Sequence, residues 1–245
     1  MNELKLTKSI GIRKSLVDGP EKVSGKALYS GDFIPADCLV GRIFRSPISH
    51  GQIVEIDVSD AQALPGVKAV ITGDETDEPF GVLPIARFEY PLARDKVRYK
   101  GEPLACVAAI DAKTAQKAIE LIKFKYKELP AYFTAQDAMA ESAINIHDHR
   151  QGNIEREVDF DLGETDDGLA AADLIMEQTY NCAEIAQVQS EPHAAIAEYD
   201  AIRDFMTVRA STQVPYYGHK MLAKTLKMEE SKVRMIKPFV GGGFG

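Results

Sequence analysis

The sequence has few of the residues that build disulfides and metal sites. Its 245 residues include three cysteines, Cys38, Cys106 and Cys182, and no two of them form a C-x-x-C pair. Such spacing predicts neither a zinc site nor an iron–sulfur cluster, so we expect each cysteine to be a small buried apolar residue. His147 and His149 flank an aspartate in a predicted linker, and two imidazoles alone are too few ligands for a metal site.

Long apolar runs and excess positive charge are also missing. No stretch of eighteen apolar residues occurs, and residues 1–10 show no signal-peptide h-region, so we expect a cytoplasmic protein without a membrane partner. Lysine and arginine number 29 against 37 aspartates and glutamates, and the net charge of -8 opposes nucleic-acid binding, which needs clustered cations. The 45% hydrophobic content is that of a folded globular chain.

Apolar patterns in the first half of the chain predict strands joined by short helices. The turn at His50-Gly51 predicts a hairpin, and Ser59 with Gln62 fits a capping box. Asp111 suits the N-cap of a helix over 112–121. The predicted strands are Leu39–Phe44, Ile53–Val58, Val67–Thr72, Leu104–Ile110 and Ile122–Tyr126. Two strand–helix–strand units of this kind predict an α/β first domain.

The pattern dissolves between Pro130 and Gly168 into short polar pieces, which indicates a connection between two domains. We place the boundary so that the domains are 1–135 and 136–245. A helix begins at Pro215, where Ser211 or Thr212 can cap it. The strands predicted in this second part are Leu174–Ala183, Ala194–Tyr199, Phe205–Ala210 and Val233–Ile236.

A glycine-rich segment, Gly241–Gly245, follows the last predicted strand. Glycines lack a Cβ and let backbone N–H groups approach an anionic or oxo ligand closely, so this loop could cradle a charged group. It has neither the Lys-Ser/Thr of a P-loop nor a G-x-G-x-x-G pattern. A plain turn is the alternative.

Two polar segments are further candidates. Gln213 lies between a strand and a helix, where side chains face ligand clefts, and its amide suits an oxo group or a ring edge. Glu191 and His193 lie between two strands and suggest acid–base or metal chemistry. Helix capping and ordinary loop hydrogen bonding are the alternatives for both segments.

A basic stretch interleaved with Tyr90 and Tyr99 could meet the phosphates of a coenzyme A thioester. Its cations are Arg87, Arg94, Lys96, Arg98 and Lys100. Glu89 and Asp95 partly neutralise them, so a solvated hairpin face is the alternative.

The order and spacing of six motifs are more specific than any one of them. They are Lys22–Asp32, Val40–Pro47, Leu64–Val70, Val97–Pro103, Ser211–Gln213 and Gly241–Gly245. This series resembles the large subunits of the molybdenum hydroxylases, the xanthine dehydrogenase and aldehyde oxidase family, and the likeness runs from about Ile10 to the end. The resemblance implies an α/β (α+β) fold: a hammerhead domain over 1–135, then the N-terminal part of a molybdopterin-binding domain over 136–245.

The resemblance also implies a cofactor and the residues that bind it. Molybdenum would be held by a pterin dithiolene, extended with cytosine dinucleotide, and not by protein side chains. Gln213 would be the catalytic residue, because its amide would hydrogen-bond near an oxo ligand. Gly242, Gly243, Phe244 and Gly245 would bind the cofactor through their backbone, and Glu191 would support the cleft.

Within the family, four segments are similar to the 4-hydroxybenzoyl-CoA reductase subgroup. They are Pro79–Ile85 with Glu89–Lys96, Ala197–Asp200 and Thr212–Tyr217. This likeness implies reductive dehydroxylation of an aromatic coenzyme A thioester. Oxidation of an aldehyde, purine or nicotinate-type heteroaromatic is one alternative, and a non-catalytic assembly or scaffold piece is another.

The family relationship implies partners. Iron–sulfur clusters and FAD would lie on an iron–sulfur subunit and an FAD subunit. The family continues beyond the position of Gly245 with more cofactor loops and a late active-site glutamate. We therefore expect the remainder of the molybdenum subunit as a further partner, and this polypeptide alone to be inactive.

Overall fold

The chain folds into two units that do not follow one another in sequence. Asp37–Gln187 form one unit, and Met1–Ala36 with Val188–Gly245 form the other. The structure, a computed structural model, describes residues 11–81 and 87–244. The predicted domain boundary at residues 135 and 136 concerns the sequence domains and stays a prediction.

The architecture is mixed α/β, as predicted. The helices are α1 (Gly19–Val23), α2 (Ser59–Ala63), α3 (Ala112–Glu120), α4 (Ala135–Ala138), α5 (Thr165–Ala170) and α6 (Pro215–Thr225). The strands are β1 (Val40–Arg45), β2 (Gly51–Asp57), β3 (Val67–Thr72), β4 (Lys96–Val97), β5 (Pro103–Ala109), β6 (Lys123–Glu128), β7 (Ala195–Asp200), β8 (Phe205–Ala210) and β9 (Val233–Ile236). Single 3-10 turns lie at Ser30–Phe33, Gly73–Glu75, Gln151–Asn153 and Glu230–Lys232.

In the described part of the unit Asp37–Gln187 there are two antiparallel sheets, ordered β1-β5-β3 and β4-β2-β6. Strands that are consecutive in sequence therefore enter different sheets. The predicted hairpin between β1 and β2 is wrong, because the backbone of Ser46 pairs with that of Gly101 and Glu102 and not across a two-residue turn. The strand–helix–strand segments are not parallel βαβ units, because β2 and β3, like β5 and β6, lie in different sheets.

Two apolar cores hold this unit together. Ala115 and Ala118 of α3 pack with Val107 of β5 in the first core, and Val97 and Leu104 are fully buried in the second. Full burial of a valine or leucine side chain such as Val107, Val97 or Leu104 contributes about 1.5–3 kcal/mol. The two cores are therefore a main source of stability for this unit.

The predicted helix ends in this unit have mixed outcomes. Asp111 caps α3 as predicted, because its carboxylate accepts the Thr114 N–H at 2.7 Å. The capping box of Ser59 is wrong. Its hydroxyl donates to Asp57 Oδ1 at 2.6 Å, and this bond, with that from the Ser59 N–H, lowers the pKa of Asp57 to about 2.

Among the residues that the structure describes, the unit formed by the two ends of the chain has one sheet, ordered β7-β8-β9. β7 and β8 are antiparallel, whereas β8 and β9 are parallel and joined through α6. The strands predicted for β7, β8 and β9 and the helix from Pro215 are confirmed. The carboxyl ends of β8 and β9 meet at one sheet edge, where ligands bind in open α/β sheets.

Two local predictions in this part of the chain are wrong. Residues 174–183 form no strand, and no strand pairs with them within the described residues; their side chains are exposed. Neither Ser211 nor Thr212 caps α6, which has Val214 at its N-cap position. The Thr212 hydroxyl instead accepts the Val214 N–H at 3.2 Å.

Candidate functional site

The parallel pair of β8 and β9 brings Gln213 and the glycine loop together. Gln213 follows β8, and Gly241–Phe244 follow β9. The contact is so close that a Cβ on Gly243 would overlap the amide carbon, oxygen and nitrogen of Gln213. Position 243 therefore has space for glycine alone while Gln213 keeps this rotamer.

Glu191 fastens the start of the loop. Its Oε2 accepts the Gly241 N–H at 2.7 Å, and its Oε1 lies 3.4 Å from the Ser30 N. A Cβ on Gly241 would lie 2.5 Å from the Glu191 Cβ and 3.3 Å from its backbone nitrogen. One carboxylate thus joins three segments that are far apart in sequence.

The end of the loop has unusual backbone angles. Gly242 has φ +133°, and its Cβ would lie 2.8 Å from the Cβ of Gln189. Phe244 has φ +66°, a region that bulky residues rarely adopt, and its ring is 68% exposed. Such strain is common at ligand sites. Gly245, the last predicted cofactor residue, lies outside the described residues.

The segment Leu28–Phe33 supports the loop from the other side. The Phe239 N–H donates to the Leu28 carbonyl at 3.3 Å, and the rings of Tyr29 and Phe239 lie 6.3 Å apart. Ser30 is fully buried. None of its residues was predicted to belong to the site. Its motif was the only signal, since Ser30 and Glu191 are 161 residues apart.

Glu191 and His193 do not form an acid–base pair. The ring Nε2 of His193 lies 2.5 Å from the Gln189 Nε2, while Glu191 accepts backbone N–H groups. Glu191 therefore acts as an acceptor for the loop backbone.

Several other predicted features have different surroundings from those expected. Cys182 is exposed, whereas Cys38 and Cys106 are partly buried, and burial raises the pKa of the Cys106 thiol.

The basic stretch is not a fully solvated face, because Lys96 Nζ lies 2.5 Å from Asp148 Oδ1 and the Arg98 side chain is 19% exposed. Across residues 11–81 and 87–244, no helix is both long and apolar enough to cross a membrane.

The hydrogen-bonding groups at this site fit a cofactor with oxo groups and a polar ring system. The Gln213 amide makes no hydrogen bond to any other described residue, so it can accept one and donate two. Next to it lies a loop without side chains at Gly241, Gly242 and Gly243, where backbone can approach a ligand closely. A cavity of about 540 Å³, lined by Tyr29, Asp32, Glu191 and Gly241 among others, adjoins this loop.

Two family models match the chain in sequence. Residues 24–130 match the aldehyde oxidase and xanthine dehydrogenase a/b hammerhead domain. Residues 146–245 match the molybdopterin cofactor-binding domain. Together the two models account for the same order of domains that the sequence motifs predict.

Two curated relatives align with almost the whole chain. The nicotinate dehydrogenase large molybdopterin subunit of Eubacterium barkeri is 35% identical over 96% of this chain and 55% of its own length. A putative xanthine dehydrogenase molybdenum-binding subunit of Escherichia coli is 34% identical over 94% of this chain and 31% of its own length. The chain thus spans about half of the first relative and a third of the second.

Solved structures have the same fold. Carbon monoxide dehydrogenase from Oligotropha carboxidovorans superposes with a TM-score of 0.84 at 26% identity, over 96% of this chain and 31% of that one. Quinoline 2-oxidoreductase from Pseudomonas putida superposes with a TM-score of 0.81 at 29% identity, over 94% of this chain and 30% of that one.

Proposed function

Because the chain belongs to the aldehyde oxidase and xanthine dehydrogenase family, we propose that it forms part of the molybdenum-cofactor subunit of an oxidoreductase. The observation that carries this proposal is the contact between Gln213 and the glycine loop at the shared edge of β8 and β9. The Gln213 amide and the backbone N–H groups of the glycine loop are hydrogen-bond donors, which suit the oxo groups of a molybdenum centre held by a pterin. When bound, that cofactor supplies two-electron redox chemistry and oxygen transfer.

The residues of this chain would position the cofactor. Gln213 would donate its amide N–H to an oxo group, and the backbone of Gly242, Gly243 and Phe244 would line the same face. Gly245 is proposed to extend this set. Glu191 would keep the loop in place by accepting the Gly241 N–H. The cytosine dinucleotide extension of the pterin is part of the proposal.

We propose hydroxylation of a nicotinate- or purine-type heteroaromatic as the reaction of the assembled enzyme. The support is the names of the two aligned relatives, a nicotinate dehydrogenase and a xanthine dehydrogenase subunit. A second candidate is reductive dehydroxylation of an aromatic coenzyme A thioester, which the motifs at Pro79–Ile85, Glu89–Lys96 and Thr212–Tyr217 favour. Residues 82–85 of the first motif lie outside the described residues. A substrate that is hydroxylated would reduce the molybdenum of the assembled enzyme, whereas a thioester that is dehydroxylated would reoxidise it. The direction of this change distinguishes the two reactions.

The proposal includes partners. The part of the relatives that this chain does not cover corresponds to a further part of the subunit, which would supply more cofactor contacts and the general base. An iron–sulfur subunit and an FAD subunit would carry electrons away, as implied by the multi-subunit names of related proteins. A non-catalytic scaffold is the remaining alternative, and it would assemble equally well with and without cofactor.

Substitution of Gln213 tests the proposed site. Gln213 is exposed, and the hydrogen bond that it would make to the cofactor is worth about 0.5–1.5 kcal/mol, so Gln213→Ala should slow substrate-dependent reduction of molybdenum by up to roughly tenfold. The assay is single-turnover absorbance of the purified complex. Gln62→Ala, an exposed glutamine in the other unit, is the matched control. Unchanged reduction in the Gln213→Ala complex would argue against the assigned role.

A further inference from the structure

A long acidic segment, residues 157–187, lies open at the surface of the unit Asp37–Gln187. Every residue in it is exposed, and α5 is the only regular element in this fully described stretch. Toward its end, five large apolar side chains are each 61% to 84% exposed: Leu174, Ile175, Met176, Tyr180 and Ile185. Soluble proteins seldom expose so many neighbouring apolar side chains unless another molecule covers them.

The backbone of residues 173–187 is unpaired as well. No N–H or carbonyl group in this stretch makes a hydrogen bond to the backbone of any residue that the structure describes. Water can satisfy these polar groups, but the apolar side chains beside them favour burial. A row of free N–H and carbonyl groups next to apolar side chains is what pairs with the edge of another sheet.

The sequence of this stretch suits a strand with one apolar face. Side chains alternate between the two faces of a strand, so the even-numbered residues from 174 to 182 would share one face. The apolar or aromatic side chains of that face are Leu174, Met176, Tyr180 and Cys182. The opposite face would have Ile175, Glu177, Thr179 and Asn181. The strand predicted at residues 174–183 therefore lacks a partner among the described residues, although it has the sequence pattern of a strand.

The charge of the acidic segment argues against a second copy of this chain as the partner. Residues 157–187 contain nine aspartates and glutamates and no lysine or arginine. Pairing of two such segments would place like charges opposite one another, which destabilises a strand pair. The same charge opposes nucleic acids and anionic lipid surfaces. The segment therefore fits a protein surface that is apolar at the strand and neutral or basic around it.

The further part of the molybdenum subunit is the partner that the relatives indicate. This chain spans about half of one aligned relative and a third of the other, so both relatives have more chain that can pair with the segment. The acidic segment also lies inside residues 146–245, which match the molybdopterin cofactor-binding domain. Its partner is therefore expected in the same subunit.

We propose that residues 173–187 form a β-strand on the sheet edge of the further part of the molybdenum subunit, with Leu174, Met176 and Tyr180 buried in the contact. The inference rests on the proposed function, because that function requires the further part. Strand pairing needs no cofactor, however, so the docking and the molybdenum content are separate measurements on the same sample.

Hydrogen–deuterium exchange of the backbone amides tests the docking by comparing this chain alone with the assembled molybdenum subunit. In the chain alone, residues 173–187 should exchange as fast as an unfolded peptide, and in the assembled subunit about tenfold or more slowly. Fast exchange in both samples, or slow exchange in the chain alone, would overturn the proposal. Slow exchange only in the assembled subunit, but with no molybdenum in that sample, would support the docking and contradict the proposed cofactor function.

Proline substitutions test the pairing of the backbone itself. Successive N–H groups of a strand point to opposite edges, so Thr179→Pro and Tyr180→Pro each remove an N–H from a different edge. Both positions are exposed and have unpaired backbone in this chain, so its fold should be unchanged. In the assembled subunit, at least one variant should return the neighbouring amides to fast exchange. Thr179→Val keeps the N–H and is the matched control, and slow exchange in both proline variants would refute strand pairing.

Discussion

Gly243→Ala should cost stability only while the Gln213 side chain is present. The added Cβ overlaps three atoms of the Gln213 amide, closer than real Cβ contacts occur. These atoms are the far end of a flexible side chain, so Gln213 can turn away. We expect a loss of about 1 kcal/mol, at the low end of the range for overpacking.

Gly241→Ala should be more damaging. Its Cβ would meet the Cβ of Glu191 at 2.5 Å and the backbone nitrogen at 3.3 Å, and neither atom can rotate aside. Repulsion there should also lengthen the Glu191–Gly241 hydrogen bond, for a total of about 3 kcal/mol. Gly31→Ala is the matched control in the same unit, because a Cβ there has no atom within 4 Å.

Urea unfolding followed by circular dichroism measures these differences as shifts of the midpoint. The decisive comparison is Gly243→Ala in the parent and in a Gln213→Ala background, which isolates the pairwise energy. The cost should almost vanish in the second background. An equal cost in both, or a Gly31→Ala loss as large as that of Gly241→Ala, would refute the packing argument.

Three further outcomes follow from other contacts. Glu191→Ala should lower the free energy of unfolding by about 1–3 kcal/mol, because the backbone N–H groups of Gly241 and Ser30 lose their acceptor. Glu184→Ala, at an exposed glutamate, is the control, and an unfolding midpoint of Glu191→Ala equal to that of the control would contradict this. The depressed pKa of Asp57, about 2, contributes stability that is present above its unfolded value and lost as pH falls toward 2. Ser59→Ala should return the Asp57 pKa toward its ordinary value in an NMR titration, and an unchanged pKa would disprove the hydrogen-bond cause. Asp111→Ala should destabilise the chain by about 1 kcal/mol through loss of the α3 cap. A urea shift no larger than that of Lys117→Ala, at an exposed residue in the last turn of α3, would count against it.

Local sequence patterns were sufficient to predict those elements whose conformation depends mainly on their own residues. β8, β9 and the start of α6 at Pro215 agree with prediction because alternation and the fixed φ of proline are local signals. The pattern at 174–183 failed, since a strand also needs a partner and none of the described strands pairs with it. The hairpin at β1 and β2 failed for the related reason that strand pairing is decided by distant residues.

The site was predictable in composition but not in assembly. Gln213, Glu191 and the glycine loop could be named from motifs, yet their contact depends on the parallel pairing of β8 with β9. The strand–helix–strand order was an available signal, because such connections commonly join parallel neighbours. Ser30 had no comparable signal, since its bond to Glu191 exists only in the folded chain.

The molybdenum and pterin content of the assembled complex that contains this chain tests the proposed cofactor site. Elemental analysis gives the metal, and fluorescence after oxidation gives the pterin. We expect both molybdenum and pterin, equimolar with the chain, and a lower content of each in a Gly241→Ala complex that assembles normally. A fully assembled, folded complex that contains neither would contradict it, and the scaffold function would then explain the fold.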